Sequence, residues 1–302
     1  MQLFTFHFKA MGGPCKVCVY ENDESIAETL FQKAQAEVLR LETKYSRYLS
    51  DSIISQINQS AGQNDSILLD EETAQLLAFA NTAFQQSDGL FDITSGVLRK
   101  AWDFKGGNLP TQNHLDELLL LVGWQKVAFS GSHIRLPVKG MEIDFGGFVK
   151  EYAVDCAISV IEKHMLGKPV KALVDLAGDI AVTSFANQEP WSVGIRDPKS
   201  PEEALAAIGL ESGAIASSGN YERYIDKDNQ RYCHILNPLT GWPVLDGMAS
   251  VSVKAEQCMI AGVISTVAML KPRKEAEKWL KSLECIYLAI NKNNEISGTY
   301  KK

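Results

Sequence analysis

The stretch from residue 217 to residue 244 constrains the fold most. Two strand-like segments, residues 221–225 and 230–236, flank the polar turn Asp226-Lys227-Asp228-Asn229, so the chain reverses here as a hairpin. Ser217-Ser218-Gly219-Asn220 precedes it, with small side chains that let a ligand come close to the backbone. Asn237-Pro238-Leu239-Thr240-Gly241 follows, with Pro and Gly where turn geometry favours them. His234 falls near the end of the second strand, beside that turn. Hydroxyls, an imidazole and a Gly-containing turn gathered on one hairpin suit a site. A surface hairpin with one satisfied histidine would read the same way.

The remaining segments extend the pattern. Residues 3–9 alternate as a strand, Met11-Gly12-Gly13 is a tight turn, and residues 16–20 return. Helical spacing of Ile26, Leu30, Ala34, Val38 and Leu41 predicts an amphipathic helix over 25–45. Asp70 caps another helix, with Glu71 and Glu72 in its first turn. Further helices are expected over 149–165, 257–269 and 273–282. Strands are expected over 170–174, 191–195, 248–255 and 285–290, and one ending at Asp144. Strands that come in hairpins as well as singly, with helices between, give an α+β class. Its sheets are mixed or antiparallel with flanking helices, in a single unit over residues 1–302 whose polar tail, 292–302, frays. No G-x-G-x-x-G follows the first strand, so the fold is not Rossmann.

Charge and cysteine usage narrow the partners. A net charge of −7 without a basic run argues against nucleic acid and anionic membrane, and no apolar run is long enough for a membrane helix. An anionic ligand must therefore be held locally. Phe145-Gly146-Gly147, turning into a helix at Val149, offers free N–H groups and the positive end of the helix dipole. Lys150 in that first turn is unfavourable for the helix alone and suits a negative ligand, or else it is a solvated lysine. The six cysteines, scattered through apolar segments, read as buried free thiols. Cys15 and Cys18 lack a second pair for a metal and, three apart in a strand, face opposite ways.

Four blocks in order resemble the ApbE flavin transferase family, the FAD:protein FMN transferases. They are Gly89-Leu90-Phe91-Asp92-Ile93-Thr94 with Trp102, the run from Ile143 through Lys150 to Tyr152 and Asp155, the run from Leu173 to Ile180, and Ser217 to Val244. The resemblance spans nearly the whole chain. It implies an ApbE-like, T-fold-like unit that binds FAD and attaches FMN, through its phosphate, to a Ser or Thr of an acceptor flavoprotein, releasing AMP. FAD hydrolysis to FMN and AMP, or FAD binding with little catalysis, are the alternatives it leaves. It implies His234 as general base for the acceptor hydroxyl. Met11, Tyr48, Leu90, Phe91, Asp92, Asp144, Lys150, Ser218, Gly219 and Thr240 are implied as contacts to FAD, and Mg²⁺ is implied on Thr266 and the carbonyl of Gly147. Three of these have plain structural readings as well. Met11 could be core, Tyr48 a surface tyrosine, and Asp92 the cap of a helix over 95–102.

The chain departs from the family pattern at four places. Gly13 stands for Thr, Glu151 for the Gly after the lysine, Ala177 for Gly, and Gly262 for the metal-binding Asp four residues before Thr266. A carbonyl and a hydroxyl are thin for Mg²⁺. The expectation is therefore weak Mg²⁺ binding that Gly262→Asp strengthens, unless Asp175, Asp179 or Glu151 supplies the carboxylate. Many members of the family are exported lipoproteins. The first residues here lack a basic n-region, a long apolar core and a lipid-acceptor Cys, which reads as cytoplasmic, or as periplasmic if a leader has been trimmed.

Overall fold

The computed structural model describes residues 1–184, 189–200 and 202–300. In chain order the first half holds β1 (Gln2–Ala10), β2 (Gly13–Glu21), α1 (Glu24–Tyr45), α2 (Ile53–Gln59), β3 (Ile67–Leu68), α3 (Glu71–Gln86), α4 (Gln112–Leu119), β4 (Ala128–Phe129) and β5 (His133–Arg135). The second half holds α5 (Val149–His164), β6 (Lys171–Leu176), β7 (Asp179–Val182), β8 (Trp191–Arg196), β9 (Ala204–Leu210), β10 (Gly213–Gly219), β11 (Tyr224–Lys227), β12 (Gln230–Cys233), β13 (Ser250–Ala255), α6 (Cys258–Met269), α7 (Arg273–Ser282), β14 (Ile286–Ile290) and β15 (Ile296–Gly298). A 3-10 helix, Ile93–Ala101, lies between α3 and α4.

Eight strands form one sheet in the order β1-β2-β6-β7-β10-β13-β14-β15, and every neighbouring pair is antiparallel. Side chains alternate between its faces. Val17, Val19, Ala172, Val174, Ala214, Ala216, Val251 and Val253 meet the buried stripes of α1, α5 and α6 in the main core. Cys18, Leu173, Ile180, Val182, Ile215 and Leu288 face the other way, against the β8–β9 hairpin. Cys15 and Cys18 fall on opposite faces as their spacing requires, both as free thiols.

Two turns of the sheet carry left-handed backbone at both central positions. Met11-Gly12 joins β1 to β2 with φ of 52° and 77°, and Ala177-Gly178 joins β6 to β7 with φ of 55° and 98°. Asp228-Asn229 closes β11–β12 in the same way, at 52° and 60°. Such primed turns match the twist of the flanking strands, and Asn or Asp tolerates them better than most residues. The hairpin is therefore tighter than the four-residue turn expected, with Lys227 opposite Gln230.

Two expectations are corrected. Within the tail expected to fray, 292–302, residues 296–298 pair with β14 as β15 and Tyr300 Oη accepts from Gly209 N at 3.1 Å, while 301–302 lie outside the described residues. Residues 141–144 are not a strand; Asn58 bonds the backbone of Ile143 on both sides, and Asp144 N donates to Ile93 O at 2.8 Å. No helix among the described residues is long and apolar enough to cross a membrane.

Glu72, in the first turn of α3, ties three helices together. Its carboxylate accepts from Arg40 at 2.6 Å and Lys44 at 2.7 Å on α1, and from Tyr152 Oη at 3.2 Å on α5. The Arg40 hydrogen bonds lead in holding its pKa down to about 2. A carboxylate depressed in the folded state adds stability above its unfolded pKa and loses it as acid protonates it. Glu72→Gln is expected to cost about 1–2 kcal/mol at pH 7. That difference should shrink between about pH 4.5 and pH 2, as urea unfolding at several pH values would show.

Candidate active site

Helix α5 begins without a side-chain cap, at the Gly146-Gly147 turn. Both glycines are exposed, while Phe148 N and Val149 N already donate to Phe145 O at 3.0 Å and 2.8 Å. Lys150, in the first turn, runs back to the sheet and pairs with Asp179 at the start of β7, with Leu176 O at 3.5 Å. Asp179 also accepts from Ser217 N at 3.2 Å. Burial works against the Lys150 charge, but Asp179 and Glu151 outweigh it and raise its pKa. Lys150 is thus neither a solvated lysine nor an uncompensated cation; its charge is already matched within the protein.

The next residue, Glu151, is buried, and its Oε2 has no hydrogen-bond partner. Burial first and the Asp179 charge second push its pKa up. It packs on α6 at Gly262: a Cβ built there would lie 2.7 Å from Glu151 Cγ and 3.1 Å from Oε1. One turn along α5, Asp155 accepts from Cys258 N at 2.7 Å and Met259 N at 3.0 Å, capping the start of α6 from outside. Residues 151 and 155 oppose 262 and 258, so the helices run antiparallel. One turn along α6 from Gly262, Ser265 and Thr266 hydrogen-bond Ser218 Oγ of β10 at 2.8 Å and 3.1 Å. Glu151 therefore lies against the α6 face that carries these hydroxyls.

This contradicts the expectation that Gly262→Asp would improve a metal site. The space for that side chain holds the Glu151 carboxyl, and a second carboxyl there would overlap it and repel it. A similar exchange occurs at the β1–β2 turn. A Cβ at Gly13 would lie 2.7 Å from the Cβ of Ala177. The Ala177 methyl fills room that a side chain at 13 would take.

A second polar cluster forms around Asp144. Its carboxylate accepts from Gly146 N at 2.9 Å and pairs with Arg47, whose Nη2 donates to Tyr48 Oη at 2.7 Å. Tyr48 is 79% exposed, and the Arg47 hydrogen bond, with Arg223 and Arg99 nearby, lowers its pKa. His234, just past β12, meets Arg223 O through its backbone N at 3.0 Å and through Nδ1 at 3.3 Å. A carbonyl only accepts, so Nδ1 holds the proton and Nε2 keeps its lone pair. His234 is reachable by solvent but closely flanked by protein, and desolvation lowers its pKa below the ordinary value.

Other expected residues take different roles. Asp92 is buried, and both carboxylate oxygens are engaged: Oδ1 by Thr94 N and Oγ1 at 2.8 Å and 2.6 Å, Oδ2 by Trp124 N at 2.9 Å. It caps the 3-10 helix, the structural role its position allows. Gly219 does not open the backbone to a ligand, because a Cβ there would sit 2.3 Å from the Tyr221 ring. Phe91 is buried against Phe148, whereas Leu90 is half-buried. Met11 is half-buried, and its N donates to Glu42 Oε1 at 2.7 Å. Thr240 is exposed, and its Oγ1 accepts from Trp242 N at 3.2 Å. A groove of about 530 Å³ runs along Phe84, Gly89, Asp92, Val122, Pro238 and Leu239; Lys150, Ser218 and Thr266 do not line it. Sequence reasoning missed Ser265 and Arg47. Ser265 stands beside Thr266 in the motif, but Arg47 showed no signal beyond its place before Tyr48.

The sequence profile of the ApbE family matches residues 11–288. The chain is 28% identical to the FAD:protein FMN transferase of Haemophilus influenzae, over 94% of this chain and 86% of that protein. It is 26% identical to the Klebsiella pneumoniae protein of the same name, over 88% and 82%. The crystal structure of the ApbE protein from Thermotoga maritima superposes with a TM-score of 0.86 at 28% identity, covering 99% of this chain and 97% of that one. The apo flavinyl transferase ApbE of Pseudomonas stutzeri shares the fold, with a TM-score of 0.85 at 23% identity.

The capping role of Asp92 is open to test. Asp92→Ala removes three accepted hydrogen bonds, two of them from backbone N–H groups that stay buried. It is expected to lower unfolding free energy by about 2–3 kcal/mol in denaturant melts. FAD affinity measured on the folded fraction should stay within about twofold if the carboxylate serves the cap rather than a ligand.

Proposed function

The chain belongs to the ApbE family, and on that premise we propose that it is an FAD:protein FMN transferase. It joins FMN, through its phosphate, to a Ser or Thr hydroxyl of an acceptor flavoprotein and releases AMP. The observation that carries this reading is the family match over residues 11–288, with relatives of that name aligned over most of their length.

The reaction asks for few parts. The acceptor oxygen attacks the phosphorus of the FMN half, and the bond to the bridging oxygen breaks, leaving on AMP. Positioning and charge compensation supply most of the catalysis. The uncapped start of α5, at Gly146-Gly147, is the natural seat for the pyrophosphate. Lys150 in the same turn is held in place by Asp179, which offsets its charge, so the backbone N–H groups and the helix end carry the larger share. Nε2 of His234 takes the proton of the acceptor hydroxyl, while Arg223 O holds the ring through Nδ1. Tyr48, held by Arg47, offers an exposed aromatic face to the flavin side.

The donors around Thr266 suit a hard cation. They are all oxygens, and one of them, Glu151 Oε2, is buried without a partner. Mg²⁺ would be held there by Glu151 and Thr266, with the Gly147 carbonyl, and when bound it neutralises charge on the phosphoryl oxygens. Ser218 and Ser265 orient the Thr266 hydroxyl by hydrogen bonding.

Incubation with FAD and a flavoprotein acceptor carrying a target Ser or Thr tests the reading. AMP release only with acceptor, and covalent flavin on the acceptor, is the expected result; equal release without acceptor would mean hydrolysis instead. Calorimetry should give tighter binding of FAD than of FMN. The His234 role predicts a pH signature. Because desolvation lowers its pKa, kcat/KM should fall with acid only below the ordinary histidine value of 6.5. His234→Ala should lose about 10²–10⁴-fold of transfer and that acid limb, with FAD affinity retained. Loss of FAD binding would make His234 structural.

A further inference from the structure

Glu151 is the least explained charged residue in the molecule. It lies within the main core, on a helix whose neighbouring positions pack against α1 and the sheet. Lys150 pairs with Asp179, and the Glu151 carboxyl adds a third ionisable group beside them. Its Oε2 is buried and has no partner. A buried carboxyl oxygen without a partner is unfavourable unless something else engages it. Gly262 keeps that carboxyl in place, and Gly in a helix interior itself costs about 1 kcal/mol relative to Ala. Any side chain at 262 would collide with Glu151, since even its Cβ would sit 2.7 Å from Cγ. The carboxyl so lodged lies on the α6 face that presents Ser265 and Thr266, with Ser218 across from them.

We propose that Glu151 is the carboxylate ligand of a divalent cation held with Thr266, delivered from α5 across Gly262 rather than from α6. The two positions act as one exchangeable pair: a carboxylate from either helix fills the same space, and the other position must then be glycine. An all-oxygen set of this kind suits Mg²⁺ or Mn²⁺. The inference rests on the flavin-transferase reading for the purpose of the cation, but its geometry does not.

Mn²⁺ binding to the full chain, followed by electron paramagnetic resonance of the free ion, tests it without turnover. Glu151→Gln keeps the shape and removes the charge, and should weaken Mn²⁺ at least about tenfold while FAD affinity stays measurable. Gly262→Asp alone should weaken Mn²⁺ or leave it unchanged, because the two carboxyls collide. The double variant Glu151→Gly with Gly262→Asp should return affinity to within about threefold of the parent. Unchanged affinity in Glu151→Gln, or stronger binding in Gly262→Asp alone, overturns the proposal. So does absence of Mn²⁺ binding in the parent with FAD bound. FMN transfer by the parent is scored separately: transfer with the wrong Mn²⁺ pattern sinks the cation site alone, and the right pattern without transfer sinks the function alone.

Discussion

The seam between α5 and α6 is the interaction on which the site depends. Asp155 caps α6 from the side of α5, and one turn away Glu151 fills the gap left by Gly262. The cap is a pair of part-buried hydrogen bonds and the Glu151 contact a close fit on a glycine, so together they fix register more narrowly than apolar packing alone. Sliding α6 by one residue would uncap its first N–H groups and bury Glu151 against a side chain. The same register sets Ser265 and Thr266 opposite Ser218 on β10. From the other end of the turn, Lys150 ties α5 to β7 through Asp179. Two helices and two strands are thereby located by a few polar side chains.

Much of the fold was legible in the sequence where local chemistry and tertiary context agree. The Asp70 cap and most of the α1 stripe needed only period and turn residues, although Ala27 is buried in place of the exposed Ile26, and the β11–β12 hairpin forms with β11 starting at Tyr224 rather than 221. The exceptions have physical causes. Strand β9 reads Ala-Leu-Ala-Ala-Ile-Gly-Leu, without the β-branched and aromatic content that marks strands, and it forms because β8 offers it a ladder. The tail is polar, yet the exposed edge of β14 recruits residues 296–298. Residues 141–144 looked extended, and they are, but no neighbouring strand completes a ladder there.

The site was legible by residue type and not by partner. His234, Thr266 and the Gly146-Gly147 turn could be singled out, whereas who satisfies whom could not. By sequence Lys150 suits an anion or open solvent, yet it is Asp179, 29 positions on, that faces it. The departures at Gly13, Glu151, Ala177 and Gly262 looked like four separate losses along the chain. In space they are two pairs, each with one member filling the volume the other vacates. A single sequence holds both halves of such a pair but no mark that they meet, because the contact joins residues more than a hundred positions apart.

The hairpin that carries His234 shares no ladder with the eight-stranded sheet. Strands β11 and β12 pair only with each other, and they are moored by rings: Tyr232 and Trp242 pack on Trp102, which stacks on Phe104 at 5.3 Å and donates to Gly241 O at 3.1 Å. The turn before α5 and the α6 hydroxyls are thus braced by the main sheet, while the hairpin next to His234 is held by ring contacts. Ring contacts give way gradually, and ladders do not. The segment that ends at His234 can therefore shift slightly without breaking a ladder of the eight-stranded sheet.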